Sequence, residues 1–341
     1  MSRIVFFGTY NPDYPRNRNI LKWAREAGHT ITPINERGGG IMKYVRLFVG
    51  LRQLKGAYDA VFVPFPGHLA AIVAGLATRK KIVFDAVISL YDTWVFDRQA
   101  ISKGSFKAWL YRHIDQWAIA SSTTILLDTI EHRNYFVKMY HLRPEKCAIL
   151  PAVADTHLYV PQESLFSEKY IIFWHGHFSP LHGVPVIIEA ARQLRNEPIE
   201  FRLLGSSQEG RRIAAQAQAD GLENIHFLPA VPYEELPDAI AAADLCLGVF
   251  GTSEKVDRVV PNKVYEYASM GKAIITAQSH AVARVFAGGD IVFWSDTDSD
   301  GLVALIQKIR HNRGAHFFSP ANRRIAEAAE QEARQIIQTI F

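Results

Sequence analysis

Short apolar runs alternate with longer amphipathic segments along almost the whole chain. The first run covers residues 4–7 and ends at Gly8, and Gly28 ends the helical pattern that follows it. Runs that are apolar throughout, rather than at every second position, are typical of strands buried on both faces of a parallel sheet. The pattern therefore predicts an α/β protein.

Two series of such elements follow each other. The first has predicted strands at 4–7, 29–34, 60–63, 81–84, 123–127 and 147–150, and helices at 17–27, 41–55, 69–77, 105–119 and 130–140. The second has predicted strands at 170–174, 200–204, 225–228, 245–250, 273–276 and 291–293, and helices at 185–195, 208–219, 233–242, 263–270, 280–287 and 320–340. Pro151 to about Lys169 lacks periodicity and is predicted to be the linker.

This organisation predicts two Rossmann-like, doubly wound parallel-sheet domains, at residues 1–160 and 161–320. The terminal helix at 321–341 is expected to pack back toward the first domain. Ligands of such sheets bind beyond the carboxyl ends of the strands. We therefore expect the two domains to face an interdomain cleft.

Composition narrows the class of protein. The chain has 341 residues, 48% of them hydrophobic, and a formal net charge of +4, which suits two buried cores and gives no indication of nucleic-acid binding. The two cysteines, Cys147 and Cys246, are far apart, so a reducing compartment is expected. The N-terminal residues lack a signal-like apolar stretch, and no run is long enough to span a membrane. A cytoplasmic protein is expected.

The segment 261–272 reads Pro-Asn-Lys-Val-Tyr-Glu-Tyr-Ala-Ser-Met-Gly-Lys and is predicted to enter a short helix that Gly271 ends. A helix N-terminus favours anions such as a diphosphate. Lys263 adds a full positive charge, and Glu266, one turn later, suits the hydroxyls of a ribose. A capped helix with a solvated lysine and glutamate explains the same spacing, so both interpretations stay open at this point.

This segment resembles the donor-binding motif of family 4 glycosyltransferases, which are retaining enzymes with the GT-B fold. The family pattern is a Glu, seven residues, and then Glu-Ala-Met-Ala-x-Gly-Lys-Pro. Glu266 falls on the second Glu, whereas Arg258 occupies the position of the first, and its role stays open. The resemblance implies a donor site formed by Asn262, Lys263, Val264 and Glu266, with Lys263 as a catalytic residue facing the diphosphate.

A second segment, Gly176-His177-Phe178-Ser179-Pro180-Leu181-His182-Gly183, resembles the family motif Gly-Arg-Leu-x-x-x-Lys-Gly. The resemblance implies that Gly176, His177 and His182 contact the diphosphate, with His177 in a catalytic role. Histidine is charged only near or below its pKa, so donor binding is expected to depend more on Lys263. A metal site formed by His175, His177 and His182 is an alternative interpretation.

Weaker matches complete the predicted site. Gly205 and Ser206, after a strand, fall where the family places a Gly-x-Gly beside the nucleotide, and the main chain near Val231 is expected to read the base. Gly8 stands in the position of the family's flexible loop, with Arg16 or Arg18 near it as an anion contact. Asp85, at a strand end, is expected to act as a general base toward the acceptor or to orient another group, with capping of a helix as the structural alternative. Asp92 is the second choice. His68, after another strand end, is expected to face the cleft, with a structural role as its alternative.

The function implied by the resemblance is transfer of a sugar from a nucleoside diphosphate sugar to a hydroxyl of a glycan or lipid-linked acceptor, in polysaccharide or glycolipid assembly. No cofactor and no metal are expected, since the spacing Asp296-Thr297-Asp298 falls in a late loop. A nucleotide-sugar epimerase and an inactive nucleotide-binding scaffold remain alternatives. A solute-binding protein lacks its export signal here, and a dinucleotide dehydrogenase lacks its Gly-x-Gly-x-x-Gly.

The basic amphipathic segment 40–55 suggests one more partner. It combines apolar residues with Lys43, Arg46, Arg52 and Lys55, a composition that suits an anionic membrane surface. The alternative is a helix packed on the sheet with solvated cations. Peripheral contact with the inner face of a membrane is therefore one expectation.

Overall fold

The computed structural model describes residues 1–162, 167–205, 207–294, 298–313 and 317–341. These residues form two compact units, Met1–Pro151 with Gln331–Phe341, and Ala152–Glu330. The division after Pro151 falls at the start of the segment that was predicted to be the linker.

The first unit is built on a six-stranded parallel sheet. Its strands are β1 (Arg3–Gly8), β2 (Thr30–Asn35), β3 (Ala60–Val63), β4 (Lys81–Asp85), β5 (Thr124–Leu127) and β6 (Cys147–Ile149). Its helices are α1 (Pro15–Glu26), α2 (Met42–Gln53), α3 (His68–Ala77), α4 (Phe106–Ser121) and α5 (Ile130–Tyr140). The strand order is β2-β1-β3-β4-β5-β6, and every pairing is parallel.

Both faces of this sheet are buried, which explains why its central strands are apolar throughout. Val5 and Phe7 of β1 point to the face covered by α2, α3, α4 and α5. Phe6 and Phe62 point to the other face, where the Phe62 ring contacts the ring of Phe341, with centroids 5.8 Å apart. Covering both faces of a parallel sheet with helices is the doubly wound arrangement that the pattern predicts.

The second unit has the same architecture. Its strands are β7 (Tyr170–His175), β8 (Ile199–Leu204), β9 (Ile225–Leu228), β10 (Leu245–Leu247), β11 (Ala273–Ala277) and β12 (Ile291–Trp294). Its helices are α6 (Val184–Gln193), α7 (Gln208–Ala219), α8 (Leu236–Ala241), α9 (Asn262–Ser269), α10 (His280–Val285) and α11 (Ser299–Arg313), followed by α12 (Pro320–Thr339). The strand order is β12-β11-β10-β7-β8-β9, again all parallel.

Helix α12 belongs to both units, since its residues up to Glu330 lie with the second unit and those from Gln331 with the first. In the first unit the Arg334 guanidinium lies over the ring of Trp23, 5.5 Å from its centroid, and pairs with Glu26. The aromatic ring of Phe341 packs against His29. These contacts attach the C-terminal residues to the face of the first sheet that α1 also covers.

Within the described residues, the sequence pattern predicted all twelve strands but missed one α-helix. Helix α11 was not predicted, although Leu302, Ile306 and Ile309 are buried at helical spacing. Asp300 and Gly301 in its first turn are weak helix formers and made the segment resemble a loop. Burial of these three apolar side chains in the second core stabilises the helix despite that local preference.

Within the described residues, no helix is both long enough and apolar enough to cross a membrane.

Candidate functional site

The second sheet reverses its strand order at the boundary between β7 and β10. In open parallel sheets ligands bind at such a switch point, beyond the carboxyl ends of the strands. Here β7 ends at His175 and β10 ends at Leu247. The residues that follow these ends, together with the beginning of α9, form the candidate site.

The loop from β7 to α6 is held in place by contacts that require glycine. Gly176 has a φ of 145° and Gly183 a φ of 59°, both rare for residues with side chains. A Cβ atom on Gly183 would lie 2.2 Å from the carbonyl carbon of Phe250. The amides of Phe250 and Gly251 donate to the carbonyl oxygens of His182 and Leu181, both at 3.1 Å. Main-chain contacts therefore fix the loop at the end of β10.

A second close approach brings Gly205 to Gly176. A Cβ atom on Gly205 would lie 2.1 Å from the carbonyl oxygen of Gly176. The Gly205 amide donates to the carbonyl oxygen of Leu228 at 3.0 Å, which also ties the ends of β8 and β9 together. Two predicted site residues, Gly176 and Gly205, are thus in contact. Ser206, the next predicted residue, lies outside the described residues.

Lys263 is the second residue of α9 and is buried, with 4% of its surface exposed. Its ammonium nitrogen lies 4.1 Å from the centroid of the Trp174 ring and 3.0 Å from where a Cβ of Gly176 would lie. Among the described residues Nζ makes no hydrogen bond. Burial lowers the pKa of Lys263 well below its ordinary value, and the nearby Glu266 only partly opposes this. The Lys263 ammonium is therefore a hydrogen-bond donor without a partner among the described residues, and it lies beside the main chain of Gly176.

Glu266, one turn further along α9, is 2% exposed. Its Oε2 atom lies 2.9 Å from Nε2 of His175. Despite that distance, neither atom is in a hydrogen bond of acceptable geometry with any described residue. The His175 amide donates to the hydroxyl of Tyr267 at 3.2 Å, which fixes the end of β7 against α9. A buried carboxylate with an unbonded oxygen can accept hydrogen bonds from a ligand hydroxyl.

The two histidines predicted to contact diphosphate occupy different environments. His177 is exposed, whereas the His182 ring packs edge-on against Trp174, with centroids 5.6 Å apart. Burial, and then the positive charge of Lys263, lowers the pKa of His182 well below its ordinary value. His182 Nδ1 donates to the carbonyl oxygen of His177, because a carbonyl can only accept. Neutral His182 then presents Nε2 as an acceptor, which does not suit a phosphate oxygen.

The remaining predicted donor residues lie at the edges of this group. Asn262 is the first residue of α9 and is half-buried. Val264 is fully buried, and its amide donates to the carbonyl oxygen of Pro261 at 2.9 Å. Val231 is half-buried after β9, the edge strand, which lies two positions from β7 in the sheet. No described contact joins Val231 to the Lys263 group.

In the first unit, Asp85 is engaged by a single arginine. Arg16 Nε donates to both carboxylate oxygens of Asp85, at 3.0 and 2.8 Å, and Nη2 donates at 2.8 Å. Arg16 Nη1 donates to the carbonyl oxygen of Leu150 at 2.9 Å. Burial alone would lower the pKa of Arg16, but Asp85 raises it above its ordinary value. This pairing argues against the predicted general-base role of Asp85, because its lone pairs are already occupied by a permanently charged group.

The other candidates of the first unit are also engaged. Gly8 ends β1 with a φ of 154°. The buried Asp92 accepts a hydrogen bond from the hydroxyl of Tyr135 at 3.0 Å. His68 Nε2 donates to the carbonyl oxygen of Ile88 at 3.2 Å, and burial lowers the pKa of His68. Both polar side chains therefore have structural contacts within the unit.

Two further sequence hypotheses concern Arg258 and a metal site. Arg258 ends a short 3₁₀ turn, Val256–Arg258, and its Nη1 lies 3.8 Å from Glu254 Oε2. Among the described residues, no three His, Cys, Asp or Glu side chains come together as a metal-binding group. Asp296 and Thr297 of the predicted Asp-x-Asp spacing lie outside the described residues.

A family described as glycosyl transferases group 1 matches residues 157–332, just over half of the chain. The chain belongs to this family. The match covers nearly all of the second unit, so the glycosyl transferases group 1 segment contains the Lys263 and Glu266 group described above.

One curated relative shares sequence with this family member. WcaI of Escherichia coli strain K12, whose name describes a candidate glycosyl transferase of colanic acid biosynthesis, is 33% identical over 130 residues. That alignment covers 38% of this chain and 32% of WcaI. The chain thus spans about a third of the length of this relative.

Solved structures resemble the whole chain in fold. Sucrose-phosphate synthase of Thermosynechococcus elongatus has a TM-score of 0.81 and 14% identity, over 100% of this chain and 99% of its own. HepE of Anabaena, solved with UDP and glucose, has a TM-score of 0.74 and 14% identity over the same shares. This glycosyl transferases group 1 chain therefore has the two-domain α/β fold called GT-B, which confirms the predicted fold class.

Sequence reasoning missed side chains that complete the group in this glycosyl transferases group 1 protein. Trp174 lies against the Lys263 ammonium, His175 faces Glu266, and Tyr267 holds the His175 main chain. Trp174 was counted only as the end of an apolar strand, and His175 only as a ligand of the alternative metal site. The sequence does place Trp174 and His175 directly before Gly176, at the carboxyl end of a predicted strand. Residues at such strand ends border the ligand site, so this position could have indicated them.

Proposed function

We propose that this protein is a retaining family 4 glycosyltransferase, which transfers a sugar from a nucleoside diphosphate sugar to a hydroxyl of a glycan or lipid-linked acceptor. Polysaccharide or glycolipid assembly is the proposed context, supported by the colanic acid role in the name of the relative WcaI. The donor site is the group around the end of β7 and the beginning of α9.

One observation carries this proposal. A buried lysine and a buried glutamate, one helical turn apart, both have polar atoms without hydrogen bonds among the described residues. Buried polar groups in proteins are normally satisfied. A nucleoside diphosphate would satisfy both, because its phosphates accept from Lys263 while its ribose hydroxyls donate to Glu266.

The chemistry required of the protein is stabilisation of a leaving diphosphate. Negative charge develops on that diphosphate as the glycosidic bond breaks, and a fixed cation in a water-poor site lowers the barrier. Lys263 and the N-terminal end of α9 provide this charge. Gly176 lets the diphosphate approach the main chain of the loop closely. We propose that these groups suffice without a metal ion and that His177, which is exposed, adds a contact.

The contacts of Asp85 with Arg16 support the second of its predicted roles, that of orienting another group. The Asp85 carboxylate holds the guanidinium of Arg16 in a fixed orientation at the carboxyl edge of the first sheet. We propose that Asp85 orients Arg16 and takes no proton from an acceptor.

A donor screen tests the proposal. Purified protein is incubated with nucleoside diphosphate sugars and cell-extract glycans or lipids as acceptors, and the released nucleoside diphosphate is measured. We expect release that depends on both donor and acceptor, and that is lost in Lys263→Met. Release of free nucleotide with an altered sugar in the absence of acceptor would indicate an epimerase. Absence of any nucleotide binding in calorimetry with UDP, GDP and ADP would indicate an inactive scaffold.

The metal-free mechanism has its own test. Activity of the protein is measured after treatment with a chelator and again after addition of magnesium or manganese. We expect the rate to stay unchanged in all three conditions. A rate that falls with chelator and returns with either ion would overturn the metal-free part while leaving the glycosyl transfer intact.

A further inference from the structure

Exposed apolar side chains concentrate on one helical layer of the first unit. Among the described residues, ten of the fifteen exposed large hydrophobic side chains lie on α2, α3 and α4 or directly before α2. They are Ile41, Met42, Val45, Phe48, Val49, Leu69, Leu76, Phe106, Trp109 and Trp117. Helix α3 packs between α2 and α4 on the same face of the sheet. We call the outer side of these three helices the helical layer. An apolar concentration of this kind marks an interaction surface.

The charge of the helical layer has one sign. Residues 41–57, 66–80 and 100–121, all of which are described, contain a single acid, Asp115, and it is 1% exposed. The same segments contain nine cationic side chains: Lys43, Arg46, Arg52, Lys55, Arg79, Lys80, Lys103, Lys107 and Arg112. Of these, Arg46 is paired with Glu36. The layer therefore carries positive charge without exposed negative charge of its own.

Helix α4 contributes a ladder of aromatic rings to this layer. Phe106 stacks on Trp109 with ring centroids 5.4 Å apart, and Trp109 packs on His113 at 4.1 Å. His113 contacts Trp117 at 5.9 Å. The Trp109 and Trp117 side chains are about half exposed, at 50% and 49%. Tryptophan combines an apolar ring system with a hydrogen-bond donor, which suits the boundary between lipid and water.

An open pocket of about 330 Å³ lies at the N-terminal half of α4. Its lining includes Tyr91, Lys103, Trp109 and Arg112. The Nε atom of Arg112 is buried and makes no hydrogen bond with any described residue. Arginine donors match phosphate geometry, so Lys103 and Arg112 give the lining of this pocket cations that suit a phosphate-bearing headgroup.

We propose that the helical layer docks on an anionic phospholipid bilayer, with apolar and aromatic side chains in the headgroup region and the cations against lipid phosphates. A second copy of the chain fits less well, because a symmetric contact would place the same cations against each other. A nucleic acid would leave the aliphatic side chains of α2 and α3 against a polar surface. This proposal does not depend on glycosyl transfer, since it concerns binding alone.

Vesicle flotation with the full chain tests the proposal. The vesicles are either pure phosphatidylcholine or phosphatidylcholine with phosphatidylglycerol, at low and high ionic strength. We expect binding only to the vesicles with phosphatidylglycerol, and weaker binding as salt increases. Equal binding to both kinds of vesicle, or to neither, would overturn the proposal.

A matched pair of variants locates the surface. Lys103→Glu with Lys107→Glu should lower the partition coefficient by at least ~20-fold, since each cation near an anionic surface contributes about five-fold. Arg211→Glu with Lys308→Glu changes the net charge equally on exposed helix positions of the second unit, and should change the partition coefficient little. An equal loss in both variants would contradict the assignment to this layer.

Two further measurements separate apolar contact from charge alone and exclude self-association. Phe106→Ala with Trp117→Ala removes exposed rings and no charge, and should lower binding by ~10-fold or more at either salt concentration. Circular dichroism checks that each variant is folded.

Sedimentation that shows a dimer dissociated by the Lys103 and Lys107 substitutions would assign the layer to a second copy of this chain and overturn the membrane proposal.

Discussion

Each of the two units contains a buried pair of basic and acidic side chains at the carboxyl edge of its sheet, and the pairs differ in how completely they are bonded. In the first unit Arg16 and Asp85 satisfy each other, and Arg16 also donates to Leu150. In the second unit Lys263 and Glu266 each have a polar atom without a hydrogen bond among the described residues. A saturated pair contributes to the fold, whereas an unsaturated pair is available to a ligand.

Removal of Arg16 should produce the largest effect, and it should be on stability. Arg16→Met removes the guanidinium from the buried Asp85 carboxyl group, and breaking a buried ion pair in this way typically lowers the free energy of unfolding by about 3–5 kcal/mol. Urea denaturation followed by circular dichroism measures the loss. Arg25→Met, an exposed position on the same helix, is the control and should change stability by less than about 0.5 kcal/mol. Similar stability in both variants would mean that the Arg16 pair is not structural.

Lys263→Met should have the next largest effect, and it should be on binding. We expect nucleoside diphosphate affinity to fall ~100-fold, about 3 kcal/mol, because a desolvated cation facing phosphate is lost. The unfolding midpoint without ligand should not fall, since Nζ of Lys263 makes no hydrogen bond with the described residues. Calorimetry and thermal denaturation measure the two quantities.

Lys272 offers a matched control for this substitution. It is also buried in the second unit, but its Nζ donates to the carbonyl oxygens of Ala241 and Ala243, both at 2.7 Å. Lys272→Met should therefore lower stability and leave the affinity of the folded protein close to that of wild type. If Lys263→Met loses stability and keeps affinity, as expected for Lys272→Met, then the Lys263 and Glu266 pair is structural and does not differ from the Arg16 and Asp85 pair.

Glu266→Gln should have a smaller and more selective effect. A hydrogen bond to a charged group contributes about 1.5–3 kcal/mol, and the amide retains part of it, so we expect ~10-fold weaker binding of the nucleoside diphosphate. Binding of inorganic pyrophosphate, which lacks ribose, should stay unchanged. Glu209→Gln on an exposed turn of α7 serves as the control. An equal loss for both ligands would place Glu266 near phosphate and away from the sugar.

The pH dependence should be the smallest effect. Burial depresses the pKa of Lys263 in the ligand-free fold, so charging this group opposes folding, and ligand-free stability should rise as pH rises from the lowered pKa toward the ordinary value of 10.5. A bound diphosphate favours the protonated form. Binding should therefore take up as much as one proton in this window and weaken as pH rises.

Calorimetry in buffers of different ionisation enthalpy measures this uptake. The uptake should disappear in Lys263→Met. It should persist in Lys272→Met, because the Lys272 ammonium that this variant removes donates to main-chain carbonyl oxygens and not to a ligand. Proton release on binding, or an uptake that Lys263→Met retains, would contradict the assignment of the titrating group.

The sequence pattern predicted the architecture closely because the central strands of both sheets are buried on both faces and most helices have one apolar stripe. The strand at 225–228 and the helices at 130–140 and 208–219 were predicted with the bounds that the structure has. Helix α11 was missed because the weak helix formers Asp300 and Gly301 stand in its first turn. Its apolar side chains are stabilised by packing that a local pattern does not reveal.

The candidate site was predictable in part. Motif spacing indicated Gly176, Lys263 and Glu266, and the structure brings them together at the switch point of the second sheet. Spacing did not indicate that Trp174 lies over the Lys263 ammonium, because strand and helix are 89 positions apart in the chain (263 − 174). Spacing did not indicate the contact between Asp85 and Arg16 either, because the two residues are also remote in sequence.

The amino-acid sequence by itself determined the α/β class, the two parallel sheets and the glycine-bearing turns, because these depend on local periodicity and on backbone freedom at single residues. Only the tertiary structure decided which buried charges are bonded and which are not. Hydrogen bonding of a buried side chain depends on atoms brought together from distant strands and helices. Lys263 and Arg16 are both buried cations in the same kind of fold, and only their neighbours in space distinguish them.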